Sequence, residues 1–158
     1  MPMTSDPPWT VDTNILVYAT EPDGPAVIQA LEQPTKQLPK QLIARQLLAH
    51  LGLQNEARLV GQVMGEFVNV MLRKRAMSHL QASEAAVLLS RGVRVLGASA
   101  EAYAQAWELV AKHQYQMWDA LIIAICAEHG VKTLYSEHAG SLKRPLGVHV
   151  INPFAESD

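Results

Sequence analysis

WTVDTNILVY, residues 9–18, is the stretch that decides the fold. Trp9 to Val11 predicts a short buried strand, and residues 12–14 are of types that commonly begin a helix, here ahead of an apolar run. An acid, Asp12, therefore follows the carboxyl end of a strand, which is where ligands bind in open α/β sheets. Asp12 also fits a simpler role, because an aspartate at this position caps the helix that follows it.

Composition indicates one globular domain. The chain has 158 residues, of which 49% are hydrophobic, enough for a substantial core. A net charge of −2 excludes a general basic field for nucleic acid. The single Cys126 excludes an internal disulfide framework and is expected to fill the core. Without a signal peptide or membrane span, we expect a cytoplasmic protein with a loose leader at 1–8 and one domain at 9–154.

Strands and helices are predicted to alternate along the whole chain. Residues 26–31 predict a helical turn or two, and Pro34 and Pro39 interrupt any longer helix. Strands alternating with helices imply a mostly parallel sheet with helices on both faces. The further predicted strands are 58–61, 93–96, 131–135 and 148–151, and the predicted helices are 40–51, 62–75, 78–89, 99–112 and 118–129.

Three acids stand beside strongly apolar sequence and need a partner, a cap or a metal if they are buried: Asp12, Glu66 and Asp119. Simpler roles exist, since Asp119 suits the first turn of a helix and Glu66 suits pairing with Arg73 or Lys74. Together the acids predict an oxygen-ligand site for Mg²⁺ or Mn²⁺. No cysteine or histidine pair has zinc-ligand spacing. A phosphodiester is a natural substrate for such a site.

At this point the sequence resembles PIN domains, in particular the VapC-type toxin ribonucleases. The resemblance runs from about Trp9 to Phe154. No single motif is specific, but their order, spacing and strand or helix setting are. The stretches that carry it are VDTNILVY (11–18), GEFVNV (65–70), WDALIIA (118–124), TLYSE (133–137) and INPF (151–154).

The resemblance implies a three-layer α/β sandwich with a central, mostly parallel sheet of about five strands flanked by helices. It implies RNA cleavage by Mg²⁺ or Mn²⁺ held by Asp12, Glu66 and Asp119. Asn14 and Ser136 would orient the acids or water. It further implies a small antitoxin whose tail covers the active cleft, and a homodimer.

Two departures from the family pattern stand out. Where the family usually has Ser-Glu-Asp after the fourth strand, this chain has Ser136-Glu137-His138. Glu137 belongs to the opposite side of an extended chain, and His138 suits Mn²⁺ better than Mg²⁺. Losing one carboxylate is expected to weaken a second metal or the bound water. An apparent insertion around 27–39 is expected to rim the cleft or to form a partner contact.

Other residues are assigned by their setting. Arg73 shares a stripe with Glu66 and is the candidate for holding a phosphate, whereas Lys74 and Arg75 are expected to form a solvated face. Lys143 and Arg144 are weaker candidates for contact with the RNA backbone. Core packing is preferred over base stacking for Trp118.

The primary hypothesis is a metal-dependent endoribonuclease. One alternative keeps the fold but loses catalysis because of His138, which leaves an RNA-binding or partner-binding module. A second alternative is a phosphotransferase or phosphatase with Asp12 as covalent nucleophile. Enzymes of that class need a second acid two residues after the nucleophile, and this chain has Asn14 at that position.

Overall fold

The computed structural model describes residues 7–33, 37–52 and 56–155. Residues 1–6 of the predicted leader at 1–8 therefore lie outside the described residues. Residues 34–36 of the apparent insertion also lie outside them. In the described part of the insertion, the predicted turn or two of helix is present as two turns.

All five predicted strands and all the predicted helices form, with ends within a few residues of expectation. The strands are β1 (Trp9–Val11), β2 (Arg58–Val60), β3 (Arg94–Leu96), β4 (Thr133–Tyr135) and β5 (His149–Ile151). The helices are α1 (Thr13–Thr20), α2 (Pro25–Glu32), α3 (Lys40–Gly52), α4 (Gly61–Lys74), α5 (His79–Ser90), α6 (Ala100–His113) and α7 (Met117–Glu128), and a 3-10 turn spans Pro145–Gly147.

Polar caps fix where several helices begin. Ser78 starts α5 with a capping box, in which Ser78 and Gln81 each accept the other's backbone N–H. The Ser99 hydroxyl accepts the N–H of Ala102 at the start of α6, as predicted. α6 then ends at Gln114, whose positive φ of 57° turns the chain towards α7.

Every paired strand is parallel. β4 lies between β1 and β5, and β2 pairs with β3. A bridge between Trp9 and Ala57 joins the two sheets, and the Trp9 N–H donates to the Glu56 carbonyl at 3.2 Å. The chain thus winds outwards from β1 in one direction through β2 and β3, and in the other through β4 and β5. The winding reverses between β1 and β4, which is where α/β sheets bind ligands.

Six of the described helices fall into two packed groups, one containing α1, α3, α4 and α5 and the other containing α6 and α7. Residues 120–126 of α7 are all buried, as their apolar sequence predicted. Cys126 is among them and its thiol is free, so it fills the core; burial raises its pKa to about 12. None of the described helices has the length and apolar character needed to cross a bilayer.

Candidate active site

Asp12 and Ser136 meet at the point where the sheet reverses direction. Val11 pairs with Tyr135, so the residues after them leave β1 and β4 side by side. Oδ2 of Asp12 accepts the Ser136 hydroxyl at 2.7 Å, and Oδ1 accepts the Thr13 N–H at 2.6 Å. Asp12 is only 5% exposed. Its carboxylate therefore caps α1, as the simpler interpretation held, while its other oxygen faces the end of β4.

Glu66 is held at the same place from α4, which packs against α1. Its Oε2 accepts the Thr13 hydroxyl at 2.8 Å, and its Oε1 accepts Nε2 of Gln62, one turn earlier, at 2.8 Å. The simpler expectation was that Glu66 pairs with Arg73 or Lys74. In the described chain Glu66 forms no such ion pair. Two neutral donors thus fix the carboxylate and leave its charge uncompensated.

Asp119 is the third residue of α7 and is partly buried. Among the described residues its carboxylate has no hydrogen-bond or ion-pair partner. Burial raises its pKa, and repulsion from Asp12 and Glu66 adds to the rise. Burial also raises the pKa of Asp12, with help from Glu66 and against the hydrogen bonds from Ser136 and Thr13. The three acids, which come from three distant motifs, therefore repel one another through their charges.

An open cleft of about 950 Å³ joins these groups. The Oδ1 atom of Asn14 is buried there and has no hydrogen-bond partner within the described chain. The cleft is lined by the three acids together with Thr13, Asn14, Val17, Tyr18, Glu21, Val70, Lys74, Arg75, Gln116, Trp118 and His138.

His138, and not Glu137, occupies the position after β4 that faces the cleft. Its backbone N–H donates to the Ser136 hydroxyl at 3.1 Å, and its ring counters the upward pKa shifts of Asp12 and Asp119. The Glu137 carboxylate points elsewhere: it forms an ion pair with Lys40 and accepts the Tyr18 hydroxyl at 3.1 Å. The alternation of an extended chain separates the two side chains in this way.

Basic side chains reach the cleft differently from the prediction. The cleft follows the side of α4 that carries Glu66, Val70 and Lys74, which are spaced four residues apart. Lys74 is exposed, as expected, and it also lines the cleft, whereas Arg73 is exposed outside it. Arg75 also lines the cleft and is ion-paired with Glu21.

Two further predictions have different outcomes. Lys143 and Arg144 lie in a depression with His149, separate from the cleft, so their contact with the RNA backbone stays a prediction. Trp118 is 58% exposed and lines the cleft, so the preference for core packing was wrong. The reason is that α7 becomes buried only from Ala120 onwards, and its first turn protrudes at the cleft.

Some residues of the site gave little sign in the sequence. The sequence marks Gln62 only as the first residue of a predicted helix, and Thr13 only as a helix-starting residue. The four-residue spacing of Gln62 and Glu66 is a signal that could have linked them. No local pattern indicates the contact between Thr13 and Glu66, because it depends on how α1 packs against α4.

Comparison with known proteins agrees with this geometry. The family model described as PIN domain matches residues 10–139, which is most of the chain. The chain belongs to the PIN domain family. No curated protein matches this PIN domain significantly by sequence.

Solved structures share the PIN fold at low sequence identity. VapC20 of Mycobacterium tuberculosis, described as a toxin that cleaves the sarcin-ricin loop, is 23% identical over 80% of this chain and 87% of its own, with a TM-score of 0.59. VapBC2 of Rickettsia felis, bound to a promoter DNA fragment, is 16% identical over 91% and 97%, with a TM-score of 0.60. A toxin–antitoxin complex from Klebsiella pneumoniae is 16% identical over 92% and 98%, with a TM-score of 0.59. At these identities the likeness establishes the fold.

PIN nucleases generally depend on divalent metal ions, so the fit of this PIN domain to a cation matters. Within the described ranges, no three His, Cys, Asp or Glu side chains are placed so that they could already hold one ion. The donor chemistry nevertheless fits, because mutually repelling carboxylates and the orphaned Asn14 oxygen suit a hard cation. Among the described residues, Asp119 has no hydrogen-bond or ion-pair partner that would restrain its side chain.

Proposed function

We propose that this PIN domain is a metal-dependent endoribonuclease of the VapC type that hydrolyses RNA phosphodiester bonds. The observation that carries the proposal is that Asp12, Glu66 and Asp119 line one cleft at the reversal point of the sheet. The description of the Mycobacterium tuberculosis relative as an RNA-cleaving toxin supports RNA as the substrate.

In this proposal the three acids would hold Mg²⁺ or Mn²⁺. Such an ion, when bound, lowers the pKa of attacking water and offsets phosphate charge. Thr13 and Gln62 keep the Glu66 oxygens in place, and Ser136 does the same for Asp12. We assign to Asn14, whose buried Oδ1 has no partner in the described chain, the role of orienting an acid or the attacking water.

The solved relative from Klebsiella pneumoniae is a toxin–antitoxin complex, which supports a small antitoxin as the partner of this chain. We propose that its tail covers the open cleft, that the protein is a homodimer and that it acts in the cytoplasm. Co-expression with the neighbouring gene product, followed by mass measurement of the purified complex, tests the partner and the stoichiometry. A monomer that associates with no small protein would contradict both.

Cleavage and metal binding are tested together. The parent protein is expected to cut RNA with Mg²⁺ or Mn²⁺, and EDTA is expected to stop the cut. Asp119→Asn is expected to lose at least about 100-fold in rate and to bind Mn²⁺ more weakly by paramagnetic resonance. Glu108→Gln is the matched control, because Glu108 pairs with Lys112 on α6 outside the cleft. The proposal fails if no RNA is cut and the Asp119→Asn protein binds Mn²⁺ as tightly as the parent does.

The alternative is a PIN domain that binds RNA or a partner without cutting. The observation that favours it is His138 in the cleft, where the family usually supplies a fourth carboxylate. Under this alternative the metal-loaded protein binds RNA and leaves it intact. Under the primary proposal the same mixture yields shortened RNA, so one gel with a binding control separates the two.

A further inference from the structure

Trp118 presents a large apolar side chain to the cleft without a structural need for it. It is 58% exposed, although a buried indole would stabilise the fold more than an exposed one. It directly precedes Asp119 in the first turn of α7, and both side chains line the same cleft. An exposed aromatic face therefore lies next to one of the acids.

Exposure alone does not mark this tryptophan, but its position does. Trp107 is exposed to the same degree, at 60%, yet it lies on α6 against Tyr103 and does not line the cleft. The third tryptophan, Trp9, is buried in β1. Trp118 is thus the tryptophan whose ring is offered to whatever enters the cleft.

A cation lies further along the same cleft. Lys74 is exposed and makes no ion pair or hydrogen bond within the described chain, whereas its neighbour Arg75 is paired with Glu21. Lys74 follows Glu66 by eight helical residues, which separates their backbone positions by about 12 Å along the axis of α4. The cleft thus combines an acidic end with a positive charge about two nucleotides away.

An aromatic platform beside a free cation is the chemistry that recognises unpaired nucleotides. Bases stack on aromatic faces when they are free of a duplex, and the backbone phosphate binds Lys or Arg. Bases inside a duplex are already stacked and cannot reach the indole. With a net charge of −2, the protein has little general attraction for RNA and depends on local contacts of this kind.

We infer that Trp118 is a stacking platform for an unpaired base next to the scissile phosphate, with Lys74 holding a neighbouring phosphate. The inference rests on the proposed function and adds two substrate-positioning residues to it.

Cleavage tests the inference first, with one RNA oligonucleotide offered either alone or annealed to its complement. The parent protein is expected to cut the single strand and spare the duplex. Trp118→Leu is expected to lower kcat/KM on the single strand about 5- to 100-fold, mainly through KM, since one stacked base carries that much binding. Trp118→Phe is expected to retain most activity. Trp107→Leu is the matched control and is expected to cut at the parent rate.

Fluorescence tests binding without relying on catalysis. In Trp107→Phe protein only Trp118 and the buried Trp9 emit, and the single-stranded RNA is titrated in EDTA at low salt. We expect the RNA to quench the tryptophan fluorescence, and we expect no quenching in the double variant that carries both Trp107→Phe and Trp118→Phe. Quenching without any cleavage would support the inference while contradicting the proposed function. If Trp118→Leu binds and cuts RNA like the parent, the indole serves something else, such as a protein contact, and the inference is overturned.

Discussion

The Ser136 hydroxyl donates a 2.7 Å hydrogen bond to Oδ2 of Asp12 across 124 residues of chain. The contact joins the carboxyl ends of β4 and β1 where the sheet changes its winding direction. It also favours the charged form of a buried carboxylate, because it opposes the rise that burial imposes on the Asp12 pKa. One short side chain thus links the topology of the sheet to the electrostatics of the cleft.

Ser136→Ala is expected to reduce RNA cleavage about 10- to 100-fold while leaving the fold intact, because outer groups that orient a ligand carboxylate have effects of that size. The variant also removes the acceptor for the His138 N–H. Steady-state cleavage and Mn²⁺ affinity measure the effect. Ser141→Ala is the control, since Ser141 is exposed and bonds to the His113 carbonyl outside the cleft. Equal rates for both variants would contradict the role given to Ser136.

Thr13→Val is expected to lower cleavage about 10-fold, because valine keeps the shape of threonine but cannot donate to Glu66. The lost hydrogen bond to a carboxylate costs roughly 1.5–3 kcal/mol of stability, too little to unfold the domain. Thr20→Val on the same helix is the matched control, since its hydroxyl bonds only to the Leu16 and Val17 carbonyls. A kinetic defect shared by both variants would indicate general loosening of α1 and not loss of the Glu66 contact.

Metal-free stability should depend on pH through Asp119. Its raised pKa means that the folded protein holds this proton more tightly than the unfolded chain does. Stability is therefore fully present below the ordinary value of 3.8 and falls as the pH rises from there through the raised pKa. Asp119→Asn removes this loss, so we expect its Tm in EDTA at pH 7 to exceed that of the parent by about 1–4 °C.

Thermal melts of both proteins from pH 3.5 to 8 measure the difference. The two curves should converge at the acidic end and separate above pH 4. Glu108 should give the opposite pH dependence. The hydrogen bond from Lys112 lowers the Glu108 pKa, so the stability that this pair contributes to the parent is lost as the pH falls, and Glu108→Gln lacks that contribution. An Asp119→Asn protein that is less stable than the parent at pH 7 in EDTA would show that the carboxylate has a favourable partner.

The sequence predicted the fold and the three acids because those features have local causes. Strand and helix periodicity is visible in any short window, and an acid beside apolar residues, such as Asp119, stands out at once. Sequence could not show that the cleft follows the Lys74 side of α4. Arg73 lies closer to Glu66 on an ideal helical wheel, so only the packing of α4 against α1 decides between them.

Trp118 illustrates a second limit. Its helix is so apolar that burial seemed the better interpretation, yet burial begins two residues later at Ala120. How far a helix protrudes from the core depends on the neighbouring α6 and on the preceding turn at Gln114, and neither is encoded within the motif itself. The contact of Thr13 with Glu66 escaped prediction for the same reason, since it joins residues 53 positions apart.

His138→Asp gives the most direct test of the departure from the family pattern. His138 lines the cleft, and its ring opposes the rise in the pKa values of Asp12 and Asp119. A carboxylate there would add repulsion among the acids, so we expect their pKa values to rise further and the metal-free protein to become less stable. The same added charge should strengthen Mg²⁺ binding, because carboxylate oxygen suits Mg²⁺ better than imidazole nitrogen does.

We therefore expect His138→Asp to lower the Mg²⁺ concentration needed for half-maximal cleavage about 10-fold and to narrow the preference for Mn²⁺ over Mg²⁺. Titration of cleavage with each metal measures both. Glu137→Gln is the matched control. Glu137 sits one residue earlier, does not itself line the cleft and is bonded to Lys40 and to the Tyr18 hydroxyl, so the variant should leave metal dependence unchanged. If Glu137→Gln weakens Mg²⁺ use and His138→Asp does nothing, the assignment of cleft-facing and outward positions after β4 is wrong.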